Sequence, residues 1–345
     1  MSTPRVLLGI ETSCDETAAA LMVDGRVVAD RITRQVLHEA FGGVVPELAS
    51  RAHEQLLLPA IRGVLKDAGR EIDEVEGVAV TCGPGLAGAL LVGVAVAKGL
   101  AAVRGIPLYG VNHLEGHLWS AELSQGAMPL PFLALIVSGG HTLLVGVKGF
   151  GNYELIAATR DDAVGELFDK VGRMLGFSFP AGAAIDREAL AATKAVRFPR
   201  ARFDGDAPAF SFSGLKTAVL LHLKAMQLAR PENLPPDVRG AICRGVMEAV
   251  AAMLERPLQR TLESGKYRAL VMAGGVAASR FLRARLESLA SASGVPFIKP
   301  LFEHCTDNGA MIAWAGSKMI AGGLPPAPPD LEVRPSYPIA YGRGR

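Results

Sequence analysis

Arg5-Val6-Leu7-Leu8-Gly9-Ile10, then Glu11-Thr12-Ser13-Cys14-Asp15-Glu16, then Thr17-Ala18-Ala19-Ala20-Leu21-Met22-Val23-Asp24-Gly25-Arg26-Val27-Val28-Ala29 reads as an apolar strand, a polar turn, a second strand, a two-residue hairpin turn and a third strand. The plan recurs in the second half. Phe132 to Val137 is a strand, Ser138-Gly139-Gly140-His141 a small-residue turn, Thr142 to Val147 a strand, and Tyr153 to Ala157 follows glycines 149 and 151. After each meander the periodicity predicts helices alternating with short strands: helix Glu47 to Ala68, strand Gly77 to Thr81 and helix Leu86 to Val103, then helices Gly214 to Ala229 and Asp237 to Leu262, strand Arg268 to Met272 and helix Ala277 to Ala290. The sequence thus predicts a duplicated α/β architecture. Its two halves would face a cleft, with both polar turns offering backbone N–H groups to phosphates.

Glycines punctuate the strand ends. Gly83-Pro84-Gly85-Leu86-Ala87-Gly88 has the form of a dinucleotide fingerprint. The next strand-like segment, Pro107 to Val111, ends in Asn112 instead of the acidic residue a ribose needs, so only a generic backbone-donor loop is expected. Ala273-Gly274-Gly275-Val276 also ends a strand and opens a helix, which suits approach of an adenine or phosphate to backbone and equally suits tight strand-to-helix packing.

His113 and His117, in Asn112-His113-Leu114-Glu115-Gly116-His117, are one helical turn apart and share a helix face. Such a pair can grip a metal, or be two histidines of a half-exposed helix. A metalloprotease would also need a glutamate directly after the first histidine. Leu114 stands there, and Glu115 is rotated roughly 200° away from the pair. A third ligand candidate is Asp307, in Cys305-Thr306-Asp307-Asn308-Gly309-Ala310, between a strand ending at Pro300 and an apolar helix from Met311 to Ile320. There it would serve as a ligand or as a helix N-cap. Two histidines and one carboxylate with open positions suit Fe(II), and Zn(II) accepts the same ligand types.

With 345 residues, half of them hydrophobic, the chain is long enough for two domains with substantial cores. The apolar run at Met1 to Ile10 stops at Glu11, and that at Gly85 to Ala97 is broken by Lys98, so neither a targeting segment nor a membrane span is expected. The four cysteines, Cys14, Cys82, Cys243 and Cys305, have no paired or metal-site spacing, which fits a reducing cytoplasm. A net charge of +2 says little about partners. Nucleic-acid binding would have to come from local clusters such as Lys194, Arg197, Arg200 and Arg202, or Arg334, Arg343 and Arg345, each of which also reads as a solvated basic loop.

Five motifs in order, Leu8-Gly9-Ile10-Glu11-Thr12-Ser13-Cys14-Asp15-Glu16-Thr17, Asn112 to Leu118, Val137-Ser138-Gly139-Gly140-His141-Thr142, Ser211-Phe212-Ser213-Gly214-Leu215-Lys216-Thr217 and Cys305 to Ala313, cover essentially the whole chain. Together they resemble the bacterial tRNA N6-adenosine threonylcarbamoyltransferase family, whose members were once called glycoproteases. The resemblance implies the duplicated actin-like, ribonuclease H-like fold. Domain I would be residues 1–125, domain II residues 126–321, with residues from about 322 to 345 packing back on domain I.

It also implies transfer of a threonylcarbamoyl group from threonylcarbamoyl-AMP to the exocyclic amine of the adenosine 3′-adjacent to the anticodon, in tRNAs reading codons that begin with A. An adenylate-forming enzyme, an accessory paralogous subunit and a small ATPase would be partners. By motif, His113, His117 and Asp307 would hold one divalent metal, and Ile136, Val137, Ser138, Gly139, Gly140, Asp169, Gly182 and Asp186 would line the adenylate site. Two segments depart from the family pattern. Phe179-Pro180-Ala181-Gly182-Ala183 stands where Tyr-Pro-Gly-Gly-Pro is common, and Ser279, the remaining adenylate contact, stands where Asn is common. Serine keeps a hydroxyl but lacks the amide's paired donor and acceptor. Asp15 is the candidate to position the attacking amine or take its proton, or else caps its turn. An actin-like ATPase or kinase, a metal-dependent carbamoyltransferase acting on a small molecule, and a non-catalytic scaffold are the competing functions.

Overall fold

The opening meander forms three antiparallel strands, β1 (Val6–Glu11), β2 (Glu16–Val23) and β3 (Arg26–Arg34), in a computed structural model that describes residues 4–201, 209–226 and 234–339. β3 outlasts its apolar stretch because it is the sheet edge, where mostly exposed residues carry no apolar pattern to read. Helix α1 (Pro46–Asp67), β4 (Gly77–Gly83), α2 (Ala87–Arg104), β5 (Leu108–Asn112), α3 (His113–Trp119) and α4 (Glu122–Gln125) follow. β4 and β5 add in parallel, so the first sheet has the order β3-β2-β1-β4-β5.

The second half opens with the antiparallel β6 (Phe132–Val137), β7 (Thr142–Gly149) and β8 (Asn152–Ala158). Four helices come next, α5 (Val164–Met174), α6 (Gly182–Ala191), α7 (Ser213–Ala225) and α8 (Pro236–Leu262). Then come β9 (Leu270–Ala273), α9 (Arg280–Ala292), β10 (Phe297–Ile298) and α10 (Gly309–Ala321). The second sheet, β10-β9-β6-β7-β8, repeats the strand order and the parallel and antiparallel pairings of the first. The duplication expected from the two meanders is therefore present strand for strand. α5 and α6 occupy a stretch for which the sequence predicted no element, and the expected extension of α7 to Ala229 lies outside the described residues.

The chain divides into two units, Met1–Gly126 with Thr306–Arg345, and Ala127–Cys305. This corrects the expected limit of the second domain at 321, because α10 belongs to the first unit. The cause is a close approach of backbone: a Cβ on Gly9 of β1 would collide with the Gly309 carbonyl and Ala313 of α10, and one on Gly309 with the backbone of Ala19 and Ala20 in β2. Strand alternation sends Leu8, Ile10, Ala19 and Leu21 to the opposite face, into a core with Leu57, Ile61 and Val64 of α1 and Val94 of α2. In the second unit Leu133, Leu135 and Val137 pack with Leu167, Phe168, Ile185, Val246 and Val250. α2 alone among the described residues is long and apolar enough to cross a membrane, with a mean hydropathy of 1.6 over 18 residues. It buries Leu90, Val94 and Ala97, as a core helix does.

Candidate metal centre and phosphate loop

β5 ends in Asn112, whose side-chain oxygen accepts from the Leu114 N–H and so caps α3 directly before His113. All seven residues of α3 are buried, against the half-exposed helix that the histidine pair alone allowed. A Cβ on Gly116 would press on Ile312 and Met311, so α3 lies close against α10. At its far end Lys318 of α10 bridges to Glu122 at 2.5 Å and lies over the Trp119 ring at 4.2 Å.

This packing brings Asp307, just ahead of α10, to the histidines. His117 Nε2 is 3.0 Å and His113 Nε2 3.5 Å from the same Asp307 oxygen, Oδ1. The rings meet edge to face, with centroids 4.6 Å apart. One donor atom from each residue lies within 4.8 Å of the others, a spacing that a single divalent ion can bridge. The cap of α10 is Asn308, whose side chain accepts from the Met311 N–H at 2.7 Å, so the N-cap role open to Asp307 belongs to its neighbour.

Buried charges shape the surroundings. Burial works against a charged His113, yet Asp307 and Glu11 outweigh it and hold its pKa up at about 9. Burial, then Asp307 and Asp15, pushes the Glu16 carboxyl well above the usual range. Asp15 itself is buried in the first polar turn, its carbonyl accepting from Gln35 N–H at 3.1 Å. Behind the turn, His53 Nε2 donates to the Cys14 carbonyl at 2.9 Å, so its Nδ1 accepts from the Thr17 hydroxyl at 2.7 Å. Burial lowers the pKa of both His53 and His38.

The histidine shifts have opposite signs and, with the raised Glu16 carboxyl, make the stability of the metal-free chain depend on pH. His113, raised from 6.5 to about 9, contributes stability that is present below pH 6.5 and lost as pH rises toward 9. His53 and His38, depressed below 6.5, contribute stability that is present above pH 6.5 and lost as pH falls through their folded values. Melting temperatures in chelator should fall as pH rises from 6.5 to 9, where His113 gives up a proton that the folded chain holds and the raised Glu16 carboxyl acts in the same direction, while His53→Gln should weaken the opposing loss of stability below pH 6.5. A melting temperature that climbs steadily across the range would contradict this balance.

The second unit carries the glycine turn between β6 and β7. Ser138 N–H donates to the His141 carbonyl at 2.8 Å, while the Gly139 and Gly140 N–H groups have no partner among the described residues. Both glycines are exposed, and a Cβ on either would meet nothing within 4 Å. α5 begins beside this turn, with Gly165 N–H bonded to the Ser138 carbonyl at 3.2 Å. Because β9 pairs with β6 as far as Ile136↔Ala273, Gly274 and Gly275 fall alongside. Gly274, at φ +90°, lies so close to the Val137 carbonyl that no side chain fits. Asp169 accepts from Ala181 N–H at 2.8 Å, which fixes the chain just before Gly182. Asp186 accepts from the Ser279 hydroxyl at 2.5 Å and from the Arg280 and Phe281 N–H groups at 3.1 Å each, while the Ser279 oxygen accepts from Leu282 N–H. Ser279 thus serves as the N-cap of α9.

The Gly83 to Gly88 loop is different. Gly85 N–H donates to the Pro335 carbonyl and Leu86 N–H to that of Ser13, and a Cβ on Gly83 would collide with the Arg334 carbonyl. Its glycines serve chain packing, and the backbone-donor expectation there is corrected. Of the basic clusters, Lys194, Arg197 and Arg200 are exposed and Arg334 lies over Tyr337, while Arg202, Arg343 and Arg345 fall outside the described residues. Asp161 was not singled out by the sequence. It accepts from the Phe212 and Ser213 N–H groups and from both flanking serine hydroxyls, anchoring the Ser211 to Thr217 motif at the start of α7.

A family model described as tRNA N6-adenosine threonylcarbamoyltransferase matches residues 26–314. The protein of that name from Salinibacter ruber is 44% identical over 336 residues, covering 97% of this chain and 100% of its own. That of Brucella ovis is 45% identical over 364 residues, with 98% of each chain covered. This chain belongs to the tRNA N6-adenosine threonylcarbamoyltransferase family. Solved structures share the fold at low identity. HypF of T. kodakarensis superposes with a TM-score of 0.59 at 12% identity, over 92% of this chain and 48% of that one. Component A of the Acidaminococcus fermentans (R)-2-hydroxyglutaryl-CoA dehydratase gives 0.54 at 17%, over 92% and 99%. With them this threonylcarbamoyltransferase-family chain shares the duplicated actin-like fold.

Proposed function

We propose that His113, His117 and Asp307 hold one divalent metal, that the Gly139-Gly140 turn receives the phosphate of threonylcarbamoyl-AMP, and that the acceptor is the adenosine 3′-adjacent to the anticodon in tRNAs reading codons that begin with A. The coarse activity follows from the family: the chain threonylcarbamoylates adenosine in tRNA. The observation that carries the finer reading is the approach of two imidazole Nε2 atoms to one Asp307 oxygen, all buried or nearly so. Two imidazoles and one carboxylate favour Fe(II), and Zn(II) accepts the same donors. A small-molecule kinase or ATPase on this fold would have no use for that pair, and a carbamoyltransferase acting on a metabolite would not need tRNA.

The donor is a mixed carbamic-phosphoric anhydride. The adenosine amine forms a bond to the carbamoyl carbon, the bond from that carbon to the phosphate oxygen breaks, AMP leaves, and the amine loses a proton. When bound, the metal supplies Lewis acidity toward the carbonyl and the departing phosphate. The chain orients the rest: the Gly139 and Gly140 N–H groups take phosphate charge, Gly274 lets β9 close against the Val137 carbonyl that leads into that turn, and Ile136, Val137, Ser138, Asp169, Gly182, Asp186 and Ser279 shape the adenylate pocket. Asp15 positions the amine or accepts its proton.

Among the described residues no second site for making the adenylate is evident; an adenylate-forming enzyme supplies the donor, and a paralogous accessory subunit and a small ATPase complete the cytoplasmic assembly. Threonine, bicarbonate, ATP and tRNA with this chain alone should yield no modified adenosine, and addition of those partners should restore it. Robust product from the lone chain would refute the division of labour. Mass analysis of tRNA nucleosides from cells depleted of the protein tests the function itself: the threonylcarbamoylated adenosine should disappear.

A further inference from the structure

Glu11 ends β1 with a wholly buried carboxylate that none of the chemistry above uses. A buried carboxylate is tolerated only when its oxygens are paired. Oε1 accepts from the Ser13 N–H at 2.5 Å, and Oε2 accepts from the Thr81 hydroxyl at 2.6 Å and from His113 Nδ1 at 3.0 Å. The Ser13 hydroxyl also lies 3.1 Å from that Nδ1. Since Nδ1 is engaged with Glu11, the nitrogen left to face Asp307 is Nε2. His117 has no such support, as its Nδ1 is buried without a partner among the described residues.

Resting on the reading that His113, His117 and Asp307 hold a divalent metal, we propose that Glu11 is the positioning residue of that centre. It keeps the His113 proton on Nδ1, so that the Nε2 lone pair is presented to the ion, as carboxylate, imidazole and metal align in many metal sites. The geometry favours a carboxylate over an amide of the same shape. The Ser13 N–H can only donate, so a glutamine at this position must give it the amide oxygen. Its NH2 group then faces Thr81, whose hydroxyl can turn to accept, and His113 Nδ1, which is drawn to accept as well, with only the Ser13 hydroxyl at 3.1 Å left to hold a proton on Nδ1. That moves the imidazole proton to Nε2 and blocks the metal-binding lone pair. Sequence alone gave no sign of this role, because Glu11 reads as the first residue of a polar turn and its partners lie 70 and 102 positions away.

The test is a competition titration of Zn(II) between a chromophoric chelator and the full-length chain, for the wild type, Glu11→Gln and His113→Ala, each checked for its fold by circular dichroism. Glu11→Gln should bind Zn(II) about 10- to 100-fold more weakly than wild type. Wild-type affinity in a folded Glu11→Gln, with binding lost in His113→Ala, would overturn the role of Glu11 and leave the metal centre standing. No Zn(II) binding by the wild type, or full binding by His113→Ala, would take down the metal reading and the proposal with it. Nitrogen NMR of the Zn(II)-loaded wild type gives an answer even if Glu11→Gln does not fold. A proton on His113 Nδ1 with zinc on Nε2 is expected, and zinc on Nδ1 overturns the proposal.

Discussion

Replacing His113 and His117 together by alanine should remove the metal from a chain that still folds and lower threonylcarbamoyl transfer at least about a thousandfold, the equivalent of losing about 4 kcal/mol of transition-state stabilisation. The fold should survive because the packing of α3 on α10 does not depend on the imidazoles: the Gly116 contact with Ile312 and Met311 and the Lys318 bridge to Glu122 both remain. Removing His117 also removes a buried nitrogen without a partner among the described residues, which offsets part of the cavity cost. Elemental analysis, far-ultraviolet circular dichroism and single-turnover transfer from preformed threonylcarbamoyl-AMP check the three parts. Wild-type metal content in the double variant would sink the site.

Gly139→Val and Asp15→Asn should fail in opposite ways. At Gly139 a Cβ has open space around it in the protein, so the valine should fold normally and act only on what approaches the turn. Its two methyls would stand where phosphate meets the Gly139 and Gly140 N–H groups, weakening binding of the adenylate about 10- to 100-fold, roughly 1.4 to 2.7 kcal/mol. Asp15→Asn keeps the shape of the turn and removes a carboxylate that acts when the amine attacks. Transfer should slow by about 10²- to 10⁴-fold while adenylate affinity stays close to wild type, since the loss falls on the transition state. Equilibrium binding and single-turnover rates on the same preformed adenylate separate the two. A wild-type transfer rate for Asp15→Asn would reduce that residue to a turn cap.

Local pattern was enough to read the duplicated fold. Continuous apolar runs in Val6–Glu11 and Phe132–Val137 with polar or glycine turns after them, and a helical period in Pro46–Asp67, are each written within a few residues of one another. The histidine pair was legible for the same reason, because a one-turn spacing is a property of a single helix. What only tertiary packing decided is which distant groups meet. Asp307 reaches His117 across 190 positions because Gly9 and Gly309 let β1 and α10 touch backbone to backbone, and that contact also moved α10 out of the second unit. The same dependence hid Glu11 and Asp161 and reassigned the glycines of the Gly83 to Gly88 loop to packing against the chain near Arg334. A residue's type and near neighbours determine the conformations it can adopt, whereas its electrostatic partner depends on how buried surfaces close over it, and that is settled by the whole fold at once.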